Sequence, residues 1–268
     1  MSELQHPAYR EVRPVTDFAS VLLCANPGMM TLDGTNTWIL RAPGHPDCVV
    51  VDPGPKGKKK HVKAVAAQGN VVLGLITHRH YDHTGAIKDF RKQTGAPVRA
   101  RSAGYTRGAE VLADREVIEA AGLTITVLYT PGHTGDSVSF LVEFDGRRAM
   151  LTGDTILGGG TTVLDPKDGS LRDYMNSLNR LIVEGEECVM LPGHGPDHAE
   201  LIPVARFYKA HREERIDQVR AALVELGVSA KDAKPGKVVK KVYADVEKKL
   251  WPAAKMSVKT QLAYLAEA

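Results

Sequence analysis

Short apolar runs separated by turn-forming residues recur along the chain, a pattern typical of β-strands. These runs predict strands at residues 37–42, 48–52, 71–77, 98–101, 124–129, 137–143, 148–152 and 188–191. The first two runs flank a Gly-His-Pro turn, which indicates that they pair. Helices are predicted at residues 59–68, 85–94, 107–113 and 172–184. The mixture of elements predicts an α/β fold.

Apolar residues at helical spacing predict where two groups of helices pack. Tyr174 begins such a series within 172–184, so that face is expected to pack on a sheet and to place Tyr174 in the core. After Pro203 the helical period continues through Ile216, Val219, Leu223 and Leu226 and again through Val258, Leu262 and Leu265. We therefore predict one domain over residues 1–204 and a small helical domain over residues 205–268, whose apolar faces suit an intrachain contact or a dimer.

The composition narrows the class of protein. The 268 residues are 43% hydrophobic and 25% charged, which is typical of globular proteins and not of disordered or fibrous ones. No apolar stretch approaches the ~20 residues that span a bilayer, and the first residues lack a secretory pattern, so we expect a cytoplasmic protein without a membrane partner. Cys24, Cys48 and Cys188 lack metal-type spacing and are expected to be buried thiols.

The charge is distributed unevenly along the chain. The net charge is +3, but residues 205–268 contain 14 Lys and Arg against 8 Asp and Glu. A basic tail is a candidate surface for nucleic acid, and its lysines are Lys237, Lys240, Lys241, Lys248 and Lys249, near Tyr243 and Trp251. A second lysine run occupies residues 56–60. Lysine runs also form ordinary solvated faces, and no established RNA-binding motif is present.

A dense set of metal-binding side chains follows the apolar run 71–77. His78, His80, Asp82 and His83 fall within six residues. Imidazole and carboxylate groups suit zinc, iron or manganese, and alternate residues of an irregular turn can converge on one point. This loop predicts a metal site.

Three later loops follow strands and are flanked by glycine, and they contain His133, Asp154 and His194. Loops at the carboxyl ends of strands meet at one edge of an open α/β sheet, so these side chains are expected to join the first loop. Five histidines and two aspartates are too many ligands for one tetrahedral zinc ion. They suit two metals that share a carboxylate.

The order H-x-H-x-D-H, Gly-His, Gly-Asp, Gly-His, after a strand that ends in Asp52, resembles the metallo-β-lactamase superfamily. The resemblance covers most of residues 20–200 and implies an αβ/βα sandwich. It implies that His78, His80 and His133 hold metal one, that Asp82, His83 and His194 hold metal two, and that Asp154 bridges both. It also implies that Asp52 orients a ligand loop, although Asp52 also fits an ordinary turn.

Residues 34–38, the segment LRDYMNSLNRL and the tail KAHREER resemble the β-lactamase-like protein 2 family, whose C-terminal module is winged-helix-like. This resemblance implies a hydrolase with two zinc ions, with iron or manganese as alternatives, and a catalytic domain over residues 1–204. The best-studied animal members resemble single-stranded RNA endonucleases, so RNA phosphodiesters are the expected substrate. A thioester hydrolase resembling glyoxalase II is the chief alternative, followed by hydrolysis of another small ester, β-lactamase activity and persulfide oxygenation.

The expected mechanism uses a metal-bound hydroxide as the nucleophile. Asp82 is the predicted catalytic residue, because a carboxylate there would bind metal two and also align the nucleophile. Asn36, Tyr81 and Thr134 are candidates for substrate contacts. A metal-bound water, Thr134 and a residue of the tail are all candidates for protonating the leaving group, and Tyr81 is alternatively a packing residue.

Overall fold

Two β-sheets face each other at the centre of the protein, which a computed structural model describes over residues 8–245 and 247–267. The first sheet contains β1 (Val12–Pro14), β2 (Ala19–Leu23), β3 (Asn36–Leu40), β4 (Asp47–Val51), β5 (Asn70–Leu75) and β6 (Val98–Arg99), in that order. Pairing is antiparallel from β1 to β4 and parallel from β4 to β6. The predicted pairing of the first two apolar runs is confirmed by β3 and β4.

The second sheet contains β7 (Val117–Ala120), β8 (Leu123–Tyr129), β9 (Val138–Phe144), β10 (Arg147–Gly153) and β11 (Cys188–Pro192). Their order across the sheet is β11-β10-β9-β8-β7. Only β10 and β11 are parallel, so the carboxyl ends of both point to the same edge.

Alternating side chains divide the interior into layers, as the two-residue period of a strand requires. In β9, Val138, Phe140 and Val142 belong to the core between the sheets. Leu141 points the other way and packs among residues of the outer helices. Strands buried on both faces explain why the apolar runs in the sequence are nearly continuous.

Helices cover the outer face of each sheet. On the first sheet lie α1 (Lys59–Ala66) and α3 (Ile87–Thr94), while the four-residue α2 (Tyr81–Thr84) stands at the sheet edge. On the second sheet lie α4 (Leu171–Glu184) and α5 (Leu201–Leu226). Tyr174 is fully buried beneath α4, as predicted. The layers are helix, sheet, sheet, helix, which confirms the αβ/βα sandwich.

The C-terminal segment is helical, as predicted. It contains α5, α6 (Pro235–Val242), a short 3₁₀ helix (Lys248–Leu250) and α7 (Trp251–Ala266) around a small apolar cluster that includes Val219, Val238 and Val258. The described residues after Leu201 contain no strand, and the winged-helix likeness stays a prediction. The predicted boundary at 204/205 lies inside the continuous helix α5, and the two-domain division also stays a prediction.

The helix predicted at 107–113 is wrong. These residues are irregular because their backbone bonds to β6 instead of to itself: Arg107 exchanges two backbone hydrogen bonds with Val98, and the buried Leu112 donates to the carbonyl of Ala100. A short 3₁₀ helix, Ala103–Tyr105, lies between β6 and this irregular segment. The sequence analysis also did not identify β1, β2 and β7.

Two further expectations concern the chain as a whole. All three cysteines are buried free thiols, as predicted. Within the described ranges, no helix combines the length and the apolar character needed to cross a membrane.

Candidate metal centre

Five strand ends bring the candidate ligands to one edge of the sandwich. β4 is followed by Asp52, β5 by the loop that contains His78 and His80, β8 by His133, β10 by Asp154 and β11 by His194. The first sheet and α2 therefore supply one side of the site and the second sheet supplies the other. The seven side chains predicted as ligands all lie in this cluster.

The first group of ligands is formed by His78, His80, His133 and Asp154, whose ligand atoms lie within 4.8 Å of one another. The His80 Nδ1 atom lies 3.1 Å from His78 Nε2 and 3.0 Å from His133 Nε2. Three imidazole nitrogens therefore point at one spot.

The second group is formed by Asp82, His83 and His194. Their closest atoms are His194 Nε2 and Asp82 Oδ2 at 3.0 Å and His83 Nε2 and His194 Nε2 at 3.2 Å. Asp154 lies between the groups: Oδ2 is 3.3 Å from His194 Nε2 and 3.8 Å from His133 Nε2, and Oδ1 is 3.5 Å from His83 Nε2. Its carboxylate can therefore reach both groups.

The nitrogen on the far side of each ring has a hydrogen-bond acceptor that fixes the tautomer. Backbone carbonyls can only accept, so His133 Nδ1 donates to Val163 at 2.7 Å and His194 Nδ1 donates to Gly34 at 2.9 Å. With the proton on Nδ1, each Nε2 presents a lone pair to the site. A lone pair directed at the site is what a metal ligand requires.

Asp52 accepts hydrogen bonds that hold the loop containing His78 and His83. It is 1% exposed and adopts a left-handed backbone conformation with φ 55°, which aspartate tolerates better than most residues. Its carboxylate accepts from the Thr77 backbone at 2.9 Å, the Thr77 hydroxyl at 2.7 Å and His83 Nδ1 at 2.8 Å. Since the Thr77 hydroxyl donates to Asp52, its oxygen accepts from His78 Nδ1, 3.0 Å away. One carboxylate thus sets the tautomer of both His83 and His78.

Asp165 is the hydrogen-bond partner of the outer nitrogen of His80. The sequence analysis did not identify this residue. Its Oδ2 lies 2.8 Å from His80 Nε2, and Arg79 lies 3.1 Å from its other oxygen. Burial alone raises the pKa of Asp165, but the hydrogen bonds from His80 and the Lys167 backbone and the charge of Arg79 lower the pKa to about 2. A single Asp in a loop 85 residues after His80 carries no sequence pattern that would have identified it.

The two groups differ in electrostatics. In the first group, burial lowers the pKa of His133 to about 4 and that of His78 well below its usual range. In the second group, burial also lowers the pKa of His194, but the Asp154 and Asp82 carboxylates outweigh it and raise that pKa to about 9. His78 and His133 are therefore neutral at pH 7, while the carboxylates of the second group favour a positive charge there.

The geometry fits metal ions. Two ligands about 2.0 Å from a tetrahedral zinc ion are separated by about 3.3 Å, close to the 3.0–3.2 Å between the ring nitrogens. Asp154 Oδ1 is buried without a hydrogen-bond partner among the described residues, as expected for an atom that binds a cation. Beside it, a Cβ on Gly193 would collide with Asp154 Oδ1 and lie 3.0 Å from His83 Cε1, so glycine keeps this space open.

The three predicted substrate contacts lie in different environments. Asn36 is buried and donates both amide hydrogens, to the carbonyls of Pro192 and Gly195 at 3.0 and 2.8 Å. Thr134 is buried, and its hydroxyl lies 2.8 Å from Asp136 Oδ1. Both side chains hold loops, and their predicted substrate contacts stay predictions. Tyr81 is 61% exposed and therefore not a core residue, and its predicted substrate contact stays a prediction.

The C-terminal segment contacts the Asp154 loop. Arg212 of α5 is buried, stacks over the Tyr174 ring and donates to the carbonyl of Thr162. The Thr162 hydroxyl in turn donates to the backbone carbonyl of Asp154 at 2.8 Å. The predicted RNA-binding lysines of α6 lie elsewhere, on an exposed face where Lys241 pairs with Glu225.

A helix–sheet–sheet–helix sandwich with five histidines and two aspartates at one edge defines a class of metal-binding α/β proteins. Residues 30–194, which include all seven candidate ligands, match the model of the metallo-β-lactamase superfamily, and the chain belongs to this superfamily. Its members are typically hydrolases.

Curated relatives extend the likeness beyond this region. The chain is 32% identical over 226 residues to an atrochrysone carboxyl ACP thioesterase of Aspergillus chevalieri, covering 82% of this chain and 70% of the relative. It is 29% identical to a β-lactamase-like protein 2 homolog of Drosophila melanogaster, covering 91% and 86%. A β-lactamase domain protein of Burkholderia ambifaria has the same fold, with a TM-score of 0.77, 20% identity and coverage of 98% and 90%.

Proposed function

We propose that the protein is a two-zinc hydrolase of acyl thioesters. The observation that carries this proposal is the 32% identity to an acyl carrier protein thioesterase over 82% of this chain. The matching region is larger than the 30–194 segment that contains the ligands. The thioester alternative thereby takes precedence over the RNA substrate expected from the sequence.

The metal sites follow from the two ligand groups. His78, His80 and His133 would hold one zinc ion, Asp82, His83 and His194 the other, and Asp154 both. When bound, two zinc ions supply Lewis-acid polarisation of the scissile carbonyl and activation of a water molecule. The nitrogen-rich ligand set suits zinc, and iron or manganese would accept the same ligands.

The exposure and charge of Asp82 support its proposed catalytic role. Its side chain is 23% exposed, whereas that of Asp154 is 8% exposed, so Asp82 is the ligand carboxylate that solvent and substrate reach. Burial raises the pKa of Asp82, but the adjacent His83 outweighs it and holds that pKa far below its usual range. The group is therefore a carboxylate at neutral pH and can accept a hydrogen bond from the attacking water.

Exposed apolar side chains on the loop that holds His194 suit an acyl group better than a polyanion. Met29 and Met30 are 82% and 56% exposed on the turn between Gly28 and Leu32, and the same loop continues to Gly34, the partner of His194. Arg79, a cation of the metal loop, is already paired with carboxylates. Acyl chains bind apolar surface, whereas RNA binding requires free cations at the site.

Single-stranded RNA is the second candidate. It is supported by the relatives named as β-lactamase-like protein 2 homologs and by the exposed lysines Lys237, Lys240 and Lys248. If RNA is the substrate, these lysines would contact its phosphates.

The test compares the two substrate classes directly. The zinc-loaded protein is incubated with S-hexanoyl- and S-benzoyl-N-acetylcysteamine, S-lactoylglutathione and an end-labelled unstructured RNA. Thiol release is measured with a chromogenic disulfide, and RNA products are mapped on a gel. The variant Asp82→Ala/His83→Ala is run in parallel to exclude contaminating enzymes.

We expect thiol release that stops on chelation, returns with zinc and is lost in the variant. RNA cleavage without thiol release would instead establish the second candidate. No thiol release from any of the three thioesters, with two zinc ions bound, would overturn the thioester proposal.

A further inference from the structure

His80 differs from the other four histidines of the site. His78, His83, His133 and His194 are buried, and each presents Nε2 to its group. The His80 side chain is 28% exposed and presents Nδ1. Packing fixes the buried rings, but it leaves the outer side of the His80 ring open to solvent.

Asp165 is the group that fixes the outer side of this ring. Its Oδ2 lies 2.8 Å from His80 Nε2, while its backbone N–H donates to the carbonyl of His133 at 2.8 Å. Asp165 therefore contacts two of the three histidines of the first group, one through its side chain and one through its backbone.

Arg79 and Asp168 hold Asp165 in place. The Arg79 guanidinium bonds both oxygens of Asp168, at 2.7 and 3.3 Å, and lies 3.1 Å from Asp165 Oδ1. The Lys167 backbone donates to the same Oδ1 at 2.7 Å. The oxygen that faces away from His80 is thus occupied, which directs the other oxygen at the ring.

We propose that Asp165, held by Arg79 and Asp168, is a positioning residue that fixes the His80 ring and thereby controls retention of the metal in the first group. A half-turn of the His80 ring would replace Nδ1 with a carbon atom at the metal position and Nε2 with a carbon atom at Asp165. Only one ring orientation satisfies both neighbours. This inference rests on the metal centre of the proposed function and not on the thioester substrate.

The test measures metal binding, so it does not depend on any substrate. Asp165→Ala removes the acceptor for His80, whereas Asp165→Asn keeps an oxygen that accepts from His80 Nε2. Asp114→Ala is the matched control, because Asp114 also pairs with an arginine, Arg180 at 2.8 Å, but bonds none of the candidate ligands. Cobalt and zinc affinities are measured by competition with a chelator, together with the number of ions per chain and the thermal unfolding of each metal-free variant.

We expect Asp165→Ala to weaken one of the two ions by about 10–100-fold, the usual effect of losing a ligand's outer partner, and to leave the other ion unchanged. Asp165→Asn should recover most of this loss, and Asp114→Ala should bind both ions normally. In a His83→Ala background, which disables the second group, Asp165→Ala should weaken the remaining ion by the same factor.

Three results would overturn the inference. The first is unchanged binding of both ions in Asp165→Ala. The second is equal weakening of both ions, which would indicate general destabilisation. The third applies if Asp165→Ala does not fold and is measured in Asp165→Asn. Metal binding in that variant as weak as in a variant that lacks a ligand would show that the oxygen accepting from His80 does not control metal retention. A loss of thioesterase activity alone leaves these metal measurements intact, so failure of the proposed function is recognised separately.

Discussion

Replacing Asp52 by asparagine should reverse the hydrogen bonds that orient two ligands. The backbone N–H of Thr77 can only donate, so the Asn oxygen must stay on it, and the Asn NH₂ then faces His83 Nδ1 and the Thr77 hydroxyl. His83 must accept, which moves its proton to Nε2. The Thr77 hydroxyl turns its hydrogen to His78 Nδ1 and changes that ring in the same way.

The expected loss of metal affinity follows from whether Nε2 carries a lone pair or a proton in each tautomer. A proton on Nε2 replaces the lone pair that would bind metal, and loss of an outer partner typically costs about 10–100-fold in metal affinity, or about 1.4–2.8 kcal/mol. Because each buried donor still has an acceptor, the metal-free unfolding free energy should change by less than about 1 kcal/mol. Asp52→Ala instead leaves three buried donors unpaired and should cost on the order of 3 kcal/mol or more.

The assay combines chelator competition with urea unfolding of the metal-free protein. Asp52→Asn should bind both ions more weakly, in contrast to Asp165→Ala, which should weaken only one ion. Asp47→Asn is the control, because Asp47 lies at the opposite end of β4 from Asp52 and accepts a hydrogen bond from the exposed Asn70 side chain. Normal affinity for both ions in Asp52→Asn would refute the tautomer reasoning.

Three further outcomes are expected. Gly193→Ala should displace Asp154 and lower metal content, whereas Gly159→Ala, with open space around it, should not; normal metal content in the first variant would show that the loop can shift. The raised pKa of His194, about 9, stabilises the metal-free protein below pH 6.5, and this stability should be lost as pH rises through 9, measured by urea unfolding. Tyr174→Phe removes a buried hydroxyl that donates to a loop carbonyl at 2.6 Å and should lower the unfolding free energy by about 1–2 kcal/mol, checked by thermal unfolding.

The sandwich and the ligand cluster could be predicted because their signals are local. Eight apolar runs correspond to strands, and the ligands follow strand ends in loops too rich in histidine to be ordinary turns. β1 and β7 were not predicted because they contain only three and four residues, which is too few for an alternating pattern to distinguish them from loops. Residues 107–113 have apolar residues at helical spacing, but pairing with β6 decides their conformation.

The groups that hydrogen-bond to the ligand histidines were harder to predict than the ligands themselves. Asp52 ends a strand and belongs to a motif, whereas Asp165 and the carbonyls of Gly34 and Val163 become partners only through folding. Asn36 and Thr134 hold loops through hydrogen bonds that join residues distant in sequence or in a tight turn, and no pattern in the sequence shows these bonds. The sequence therefore indicated the candidate metal ligands, whereas the substrate contacts stay predictions.

The division of ligands between two sheets also sets an order of events during synthesis. His78, His80, Asp82 and His83 emerge first, with the sheet that spans β1 to β6, whereas His133, Asp154 and His194 belong to the later sheet. Neither half can complete a site, since both groups of ligands draw on both sheets. With the proposed metals, capture would be a late step that joins the halves of the chain: a ribosome-bound chain would complete the first group only after β10 has docked and the second only after β11 has docked.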